Sequence, residues 1–145
     1  MVLTRVLNAS LIIFMGGDPS LHPGFYDMVS KSLVILQDDK RALLENRIKA
    51  YRQMMSDFRG LNCQVQRQVL AGHAGTRVGY VLVDEIMSVT SKSVDNDERQ
   101  HNVCNYSFFK DGSSWKITLE HCSSLPDYSI NPGDEALYYF HNPIY

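Results

Sequence analysis

Residues 110–124 read KDGSSWKITLEHCSS, a turn followed by a strand. The turn is predicted at residues 110–113, because Gly112 accepts backbone angles that tight hairpins need. Alternation then places one set of side chains on a single strand face: Trp115, Ile117, Leu119, His121 and Ser123. That face begins apolar and ends in an imidazole and a hydroxyl. Either these two polar groups line a pocket, or they bond within the core and cap the strand end.

The rest of the chain divides at Gly60 into a mainly helical part and a β-rich part. The spacing of apolar residues predicts helices over residues 4–15, 22–32 and 41–58, with a short β run at 33–36. After Gly60, alternating segments predict strands at 61–71, 77–89 and 101–109 before the final hairpin, with a break over 91–100. Because helices and strands are segregated, the sequence predicts an α+β fold with a mainly antiparallel sheet.

Composition narrows the classes of function. The 145 residues are 44% hydrophobic and carry a net charge of −2, which fits one globular domain. Interspersed charges argue against nucleic-acid and membrane-surface binding. Asn8 and Ser10 interrupt the first apolar run, so it predicts an amphipathic helix rather than a targeting or membrane-spanning segment.

The three cysteines are widely spaced: Cys63, Cys104 and Cys122. Since no CxxC pair occurs, the sequence indicates neither a zinc site nor a disulfide framework. Reduced thiols in a cytoplasmic protein are the expectation.

Three stretches resemble the NTF2-like superfamily: Gly16-Gly17-Asp18 after the first helix, Leu61-Asn62 at the entry to the sheet, and the hairpin at 110–124. The superfamily includes ketosteroid isomerase, scytalone dehydratase, limonene epoxide hydrolase and the SnoaL polyketide cyclases. The resemblance implies a cone in which three N-terminal helices pack against a curved, mainly antiparallel sheet, with a pocket between them. It places the domain at residues 1–125. The aromatic tail at 126–145 is expected to form a lid or a dimer contact.

Likeness to the kinase association domain of the same superfamily implies which side chains face the pocket. It turns Tyr80, Leu82 and Asp84 inward, together with Asn105 and Ser107 on the next strand. Alternation by itself leaves this orientation open, because Val81, Val83 and Met87 make the opposite face equally apolar. On this reading, that opposite face is the outer sheet face through which a homodimer would form.

These positions give a set of expected site residues. Asp84 would act as the base, His121 as proton relay or oxyanion partner, and Asn105 would orient the substrate. The expected substrate contacts are Tyr80, Ser107, Tyr51, Leu82 and Leu119.

The resemblance implies a small SnoaL-like enzyme without metal or organic cofactor. It would carry out acid–base isomerisation, cyclisation or dehydration of a hydrophobic polyketide- or terpenoid-like substrate. The sequence departs from ketosteroid isomerase, because the stretch that should carry its aspartate base reads Leu33-Val34-Ile35-Leu36. The alternative is a non-catalytic ligand-binding or oligomerisation module.

Overall fold

The computed structural model of the protein describes residues 2–15, 22–57, 62–91 and 94–125. The helices are α1 (Val2–Met15), α2 (Phe25–Met28) and α3 (Leu44–Asp57). The strands are β1 (Val29–Gln37), β2 (Lys40–Leu43), β3 (Asn62–Ala74), β4 (Val78–Ser91), β5 (Val94–Asp111) and β6 (Ser114–Leu125).

The strands form one six-stranded sheet in the order β2-β1-β6-β5-β4-β3. Every neighbouring pair is antiparallel except β1 and β6, which run parallel. The predicted α+β class with a mainly antiparallel sheet is therefore confirmed. No helix within the described ranges is both long and apolar enough to cross a membrane.

The helical part is shorter than predicted. The second helix has only 4 residues, because β1 already begins at Val29. The third begins at Leu44, since Lys40–Leu43 instead pairs with β1 across a turn at Asp38 and Asp39. The expected break at 91–100 was also wrong over most of its length, because β5 begins at Val94. In each case strand pairing overrides the local propensity.

The helices pack on one face of the sheet, which we call the covered face. Its buried side chains include Val81, Val83, Phe108 and Ile117. Leu3 of α1 lies directly over Gly79, where a Cβ atom would come within 2.6 Å of Leu3 Cδ1. The opposite side, which we call the open face, carries the half-buried or exposed side chains of Tyr80, Leu82, Asp84, Asn105 and His121.

A β-bulge in β6 exchanges the two faces along the final hairpin. Ile117 pairs with Phe108 while Leu119 pairs with Ser107, so Thr118 is an extra residue in β6. Such an insertion shifts the alternation by one residue. Trp115 and Ile117 therefore pack on the covered face, but His121 emerges exposed on the open face. The face that starts apolar does not continue to the imidazole.

The same shift brings Cys122 onto the covered face opposite Cys104. The two residues form a disulfide with their Cα atoms 4.1 Å apart. The prediction of reduced thiols was therefore wrong for this pair. Residues 18 positions apart gave no sequence signal of their proximity, which depends on the bulge and on the hairpin register.

Candidate functional site

The structure reverses the predicted orientation of β4. Val81 and Val83 are fully buried and Glu85 is 3% exposed, whereas Tyr80 is 42% exposed. The inward orientation expected for Tyr80, Leu82 and Asp84 was therefore wrong. Both faces of β4 are apolar in sequence, and in the structure the face with Val81 and Val83 is the one packed in the core.

The predicted catalytic residues lie together on the open face. Asn105 pairs directly with His121 across β5 and β6, and Asp84 hydrogen-bonds to His101 rather than to His121. Asn105 Oδ1 is buried and finds no hydrogen-bond partner among the described residues. The predicted contacts Leu82, Ser107 and Leu119 share this face and are half-buried. Asp84, Asn105 and His121 were predicted to lie near one another, but on the face that packs against the helices. Their catalytic roles stay predictions.

Two further predictions fall outside the described part of the structure. Tyr51 lies in α3, but its side chain is not among those described. The tail at 126–145, predicted as a lid or a dimer contact, also lies outside the described ranges.

The covered face carries a different group of polar side chains, which we call the inner polar cluster: Arg47, Arg67, Glu85, Tyr106 and Glu120. They come from α3, β3, β4, β5 and β6 respectively. Glu85 and Tyr106 are only 3% and 4% exposed. Asn102, which pairs with Glu85 across β4 and β5, is a further buried polar residue on this face. Two arginines and two glutamates make the cluster neutral overall.

Arg67, Glu85 and Tyr106 are joined by hydrogen bonds in a closed triangle. Arg67 Nε donates to Glu85 Oε2 over 2.6 Å, and Arg67 Nη2 donates to the Tyr106 hydroxyl over 3.3 Å. The Tyr106 hydroxyl in turn donates to Glu85 Oε2 over 3.1 Å. The guanidinium also lies over the Tyr106 ring, 5.4 Å from its centroid. These contacts hold the Arg67 side chain in one orientation.

Arg47 and Glu120 form the second part of the cluster. Arg47 Nη1 of α3 donates to Glu120 Oε2 of β6, and this ion pair joins the helix to the sheet. Glu120 pairs with Tyr106 across the two strands, so the ion pair lies next to the triangle. Glu120 Oε1 lies 3.7 Å from Cys122 Sγ and receives no N–H or O–H group from the described residues.

The local electrostatics keep the arginines charged and the tyrosine neutral. Burial raises the pKa of Tyr106 well above its usual value, and Glu120 and Glu85 raise it further. For Arg67, burial opposes the charge, but Tyr106 and Glu85 outweigh it and raise the pKa. Burial acts the same way on Arg47, where the contact with Glu120 raises the pKa.

One donor of the cluster has no acceptor in the part of the chain that the structure describes. Arg67 Nη1 is buried and finds no hydrogen-bond partner among the described residues. An unsatisfied buried donor on a charged group is costly, so its presence asks for an explanation. The described residues contain no group of three or more His, Cys, Asp or Glu side chains that could hold a metal ion.

The sequence does contain a signal for these residues. Arg67 alternates in phase with Val65 and Val69, and Glu85 alternates in phase with Val81 and Val83. A charged residue in the apolar phase of a strand indicates a buried polar site once the covered face is known. Glu120 comes into phase only through the bulge at Thr118, which the sequence does not reveal.

No protein-family model matches the sequence, and no curated protein matches it. Among solved structures, an NTF2-like superfamily protein from Salmonella enterica is similar, with 15% identity and a TM-score of 0.64 over 90% of this chain and 93% of that one. A putative calcium/calmodulin-dependent protein kinase II association domain from Xanthomonas campestris has 14% identity and a TM-score of 0.60, covering 86% of each chain. A ketosteroid isomerase-like protein from Erwinia carotovora atroseptica has 10% identity and a TM-score of 0.57 over 83% of this chain and 95% of that one.

These likenesses establish the fold. The chain has the NTF2-like fold, as its final hairpin indicated. The similar structures carry different names and share little sequence identity with this chain. The fold alone therefore does not determine the function, which has to be inferred from the residues of the site.

Proposed function

We propose that the chain is a small acid–base enzyme whose substrate lies on the covered face of the sheet. It would bind a hydrophobic polyketide- or terpenoid-like compound and catalyse isomerisation, cyclisation or dehydration next to a carbonyl group. The single observation that carries this proposal is Nη1 of Arg67, a buried charged donor that is held in a fixed orientation and has no partner among the described residues.

A substrate oxygen would supply the missing acceptor. A carbonyl oxygen that gains negative charge during the reaction gains most from a fixed cationic donor, because the surrounding layer is poorly solvated. Glu85 and Tyr106 would fix the position of Arg67 without reacting, since each is engaged in the hydrogen-bonded triangle. Glu85 is not the candidate for the base, because its Oε2 already accepts hydrogen bonds from Arg67 and Tyr106.

Glu120 is the better candidate for the base. Its oxygen Oε1 has no N–H or O–H donor among the described residues, while Oε2 is held by Arg47. Arg67 and Glu120 lie on β3 and β6, three strand spacings or about 14 Å apart across the sheet. Ser124 is the residue of β6 in line with Arg67, so Glu120 is also displaced by four residues (124 − 120), or about 13 Å, along the strands. A substrate of one to three rings would have to span the space between the Arg67 guanidinium and the Glu120 carboxylate. Glu120 would remove a proton next to the carbonyl while Arg67 holds the oxygen.

The neutral cluster favours a neutral substrate. With two positive and two negative side chains, it exerts little net attraction on a free anion. Binding would then depend on apolar burial and on the hydrogen bond from Arg67, which suits a ketone or enone better than a phosphate ester.

Proton exchange tests this function without knowledge of the natural substrate. Cyclic and polycyclic enones and aryl ketones are incubated with the protein in D₂O, and NMR follows deuterium uptake next to the carbonyl. We expect Glu120→Gln to slow the exchange by at least about 100-fold. Arg67→Lys keeps a cation beside Glu85 but removes the Nη1 donor, and we expect a loss of about 100-fold.

The open face provides the matched controls. Asp84→Asn and His121→Ala change the residues first predicted to be catalytic, and the proposal expects both to retain exchange. If both open-face variants lose activity while Glu120→Gln keeps it, the reaction belongs to the open face. If no compound exchanges faster than in buffer, the chain is not an enzyme of this type.

An oligomerisation module is the second candidate, and the open face favours it. Val78, Tyr80 and Phe109 are 63%, 42% and 45% exposed, and Val78 pairs directly with Phe109. These exposed apolar side chains suit a self-complementary contact between two copies. The homodimer predicted through the outer sheet face would thus use this face, since Val81 and Val83 lie in the core.

Light scattering after size-exclusion chromatography tests the dimer. We expect a dimer that Phe109→Asp converts to a monomer. Leu43→Asp is the matched control, because Leu43 is 42% exposed but lies on β2 at the far edge of the sheet. A monomeric wild-type protein would rule out this candidate.

A further inference from the structure

The disulfide lies beside the inner polar cluster. Cys104 and Cys122 are 0% and 2% exposed and pair across β5 and β6. Tyr106 and Glu120 form the neighbouring pair on the same face of the sheet. Because Cys122 Sγ is 3.7 Å from Glu120 Oε1, the disulfide touches the carboxylate that binds Arg47 of α3.

Reduction would change what Glu120 contacts. In the disulfide, Cys122 Sγ carries no proton and cannot donate. As a thiol it becomes a donor, weak but directed at Glu120 Oε1. Two unbonded sulfur atoms also need more space than a bonded pair, and a close-packed layer gives way only by moving neighbouring side chains. Glu120 is such a neighbour.

We propose that Cys104 and Cys122 form a reversible thiol–disulfide site that sets how firmly Glu120 holds Arg47 and α3. The reductant would be a dithiol. One thiolate of the reductant attacks a sulfur of the pair and forms a mixed disulfide, which frees the other cysteine. The second thiol of the reductant then attacks the mixed disulfide, so that the reductant is oxidised to its own disulfide. Cys104 and Cys122 become thiols and together gain two electrons and two protons. Control of the covered-face site through α3 rests on the proposed function, whereas the coupling between the disulfide and α3 does not.

The environment of such a pair matters to its role. Where glutathione and thioredoxin keep thiols reduced, protein disulfides are usually transient and catalytic or redox-sensing. The disulfide contacts Glu120, and Glu120 binds Arg47 of α3. A change in the redox state of the pair would therefore reach the substrate site through α3.

The test uses the full chain with Cys63→Ser, so that the free thiol count refers to this pair alone. Dithiothreitol under native conditions should raise the count from none to two per chain. Hydrogen exchange is then compared between the two states, with α3 as the reporter and α1 as the internal control. We expect exchange in α3 to become about tenfold faster on reduction, with α1 unchanged.

Glu120→Gln separates coupling from general loosening. In this variant the ion pair is already lost, so α3 should exchange fast in both redox states. The proposal is overturned if the pair resists dithiol until the chain unfolds, or if reduction leaves exchange in α3 unchanged. It is overturned equally if Glu120→Gln responds to reduction as fully as the parent. Since no ligand is present, these outcomes are independent of whether the chain is an enzyme.

Discussion

Arg67 and Glu85 face each other directly across β3 and β4, with 2.6 Å between Arg67 Nε and Glu85 Oε2. Their side chains are only 12% and 4% exposed. A buried ion pair of this kind adds little net stability, because desolvation offsets the attraction. A role of the guanidinium in binding therefore explains this ion pair better than a role in stability does.

The first prediction separates stability from function at this pair. Arg67→Ala leaves Glu85 buried without its cation, and we expect a loss of about 3–5 kcal/mol in unfolding free energy. The double variant Arg67→Met/Glu85→Met replaces the pair with apolar side chains and should lie close to wild type. Urea denaturation measures both. A double variant as unstable as Arg67→Ala would mean that the pair itself stabilises the fold.

Asp38 gives a prediction for pH. Its carboxylate accepts the hydroxyl of Ser124 over 2.7 Å and the backbone N–H of Ser124 over 2.8 Å, and these bonds lower its pKa. A pKa lowered by folding stabilises the protein above the unfolded pKa of about 4, and the gain is lost as the pH falls below it. The stability difference between wild type and Asp38→Asn should therefore be constant near neutral pH and shrink below about pH 4.

Asp39→Asn is the control for this prediction, because Asp39 occupies the next position of the same turn. Urea denaturation at several pH values measures all three proteins. If the difference for Asp38→Asn does not change with pH, the bonds from Ser124 do not depend on the ionised carboxylate.

The disulfide gives a third prediction. It closes a loop between residues 18 positions apart, and its removal in Cys104→Ala/Cys122→Ala should lower the unfolding free energy by about 3 kcal/mol. Cys63→Ala is the single-cysteine control, and thiol titration of the native wild-type protein should find one free thiol per chain. Three reactive thiols in air-oxidised native protein would contradict the disulfide.

The close packing of α1 against Gly79 predicts that a larger residue at this position destabilises the protein. A Cβ atom there would meet Leu3 Cδ1 at 2.6 Å and the carbonyl oxygen of His73 at 2.7 Å. Gly79→Ala must therefore displace α1 or the β3–β4 hairpin, and we expect a loss of about 1–3 kcal/mol. Gly112 has a positive φ of 61° but no atom within 4 Å of an added Cβ, so Gly112→Ala should show only backbone strain of about 1 kcal/mol. Thermal unfolding that ranks Gly112→Ala as the worse variant would argue against close packing of α1.

The order of elements and the final hairpin were readable from the sequence, because both depend on local patterns. The orientation of the strands was not, since β4 is apolar on both faces and the choice between them is made by the packing of α1 against Gly79. The bulge at Thr118 had the largest effect. It placed His121 on the open face and placed Glu120 and Cys122 on the covered face. A strict two-residue alternation does not predict such a change of face. The sequence does contain a signal for Arg67, because this charged residue alternates with the apolar residues Val65 and Val69 on one face of its strand.

A crystal structure of the protein with the best-binding enone of the exchange panel tests the central claim most directly. The account predicts a ligand on the covered face, with its carbonyl oxygen about 2.7–3.2 Å from Arg67 Nη1 and a carbon next to that carbonyl facing Glu120 Oε1. A ligand seated on the open face, against Asp84 and His101, would contradict it.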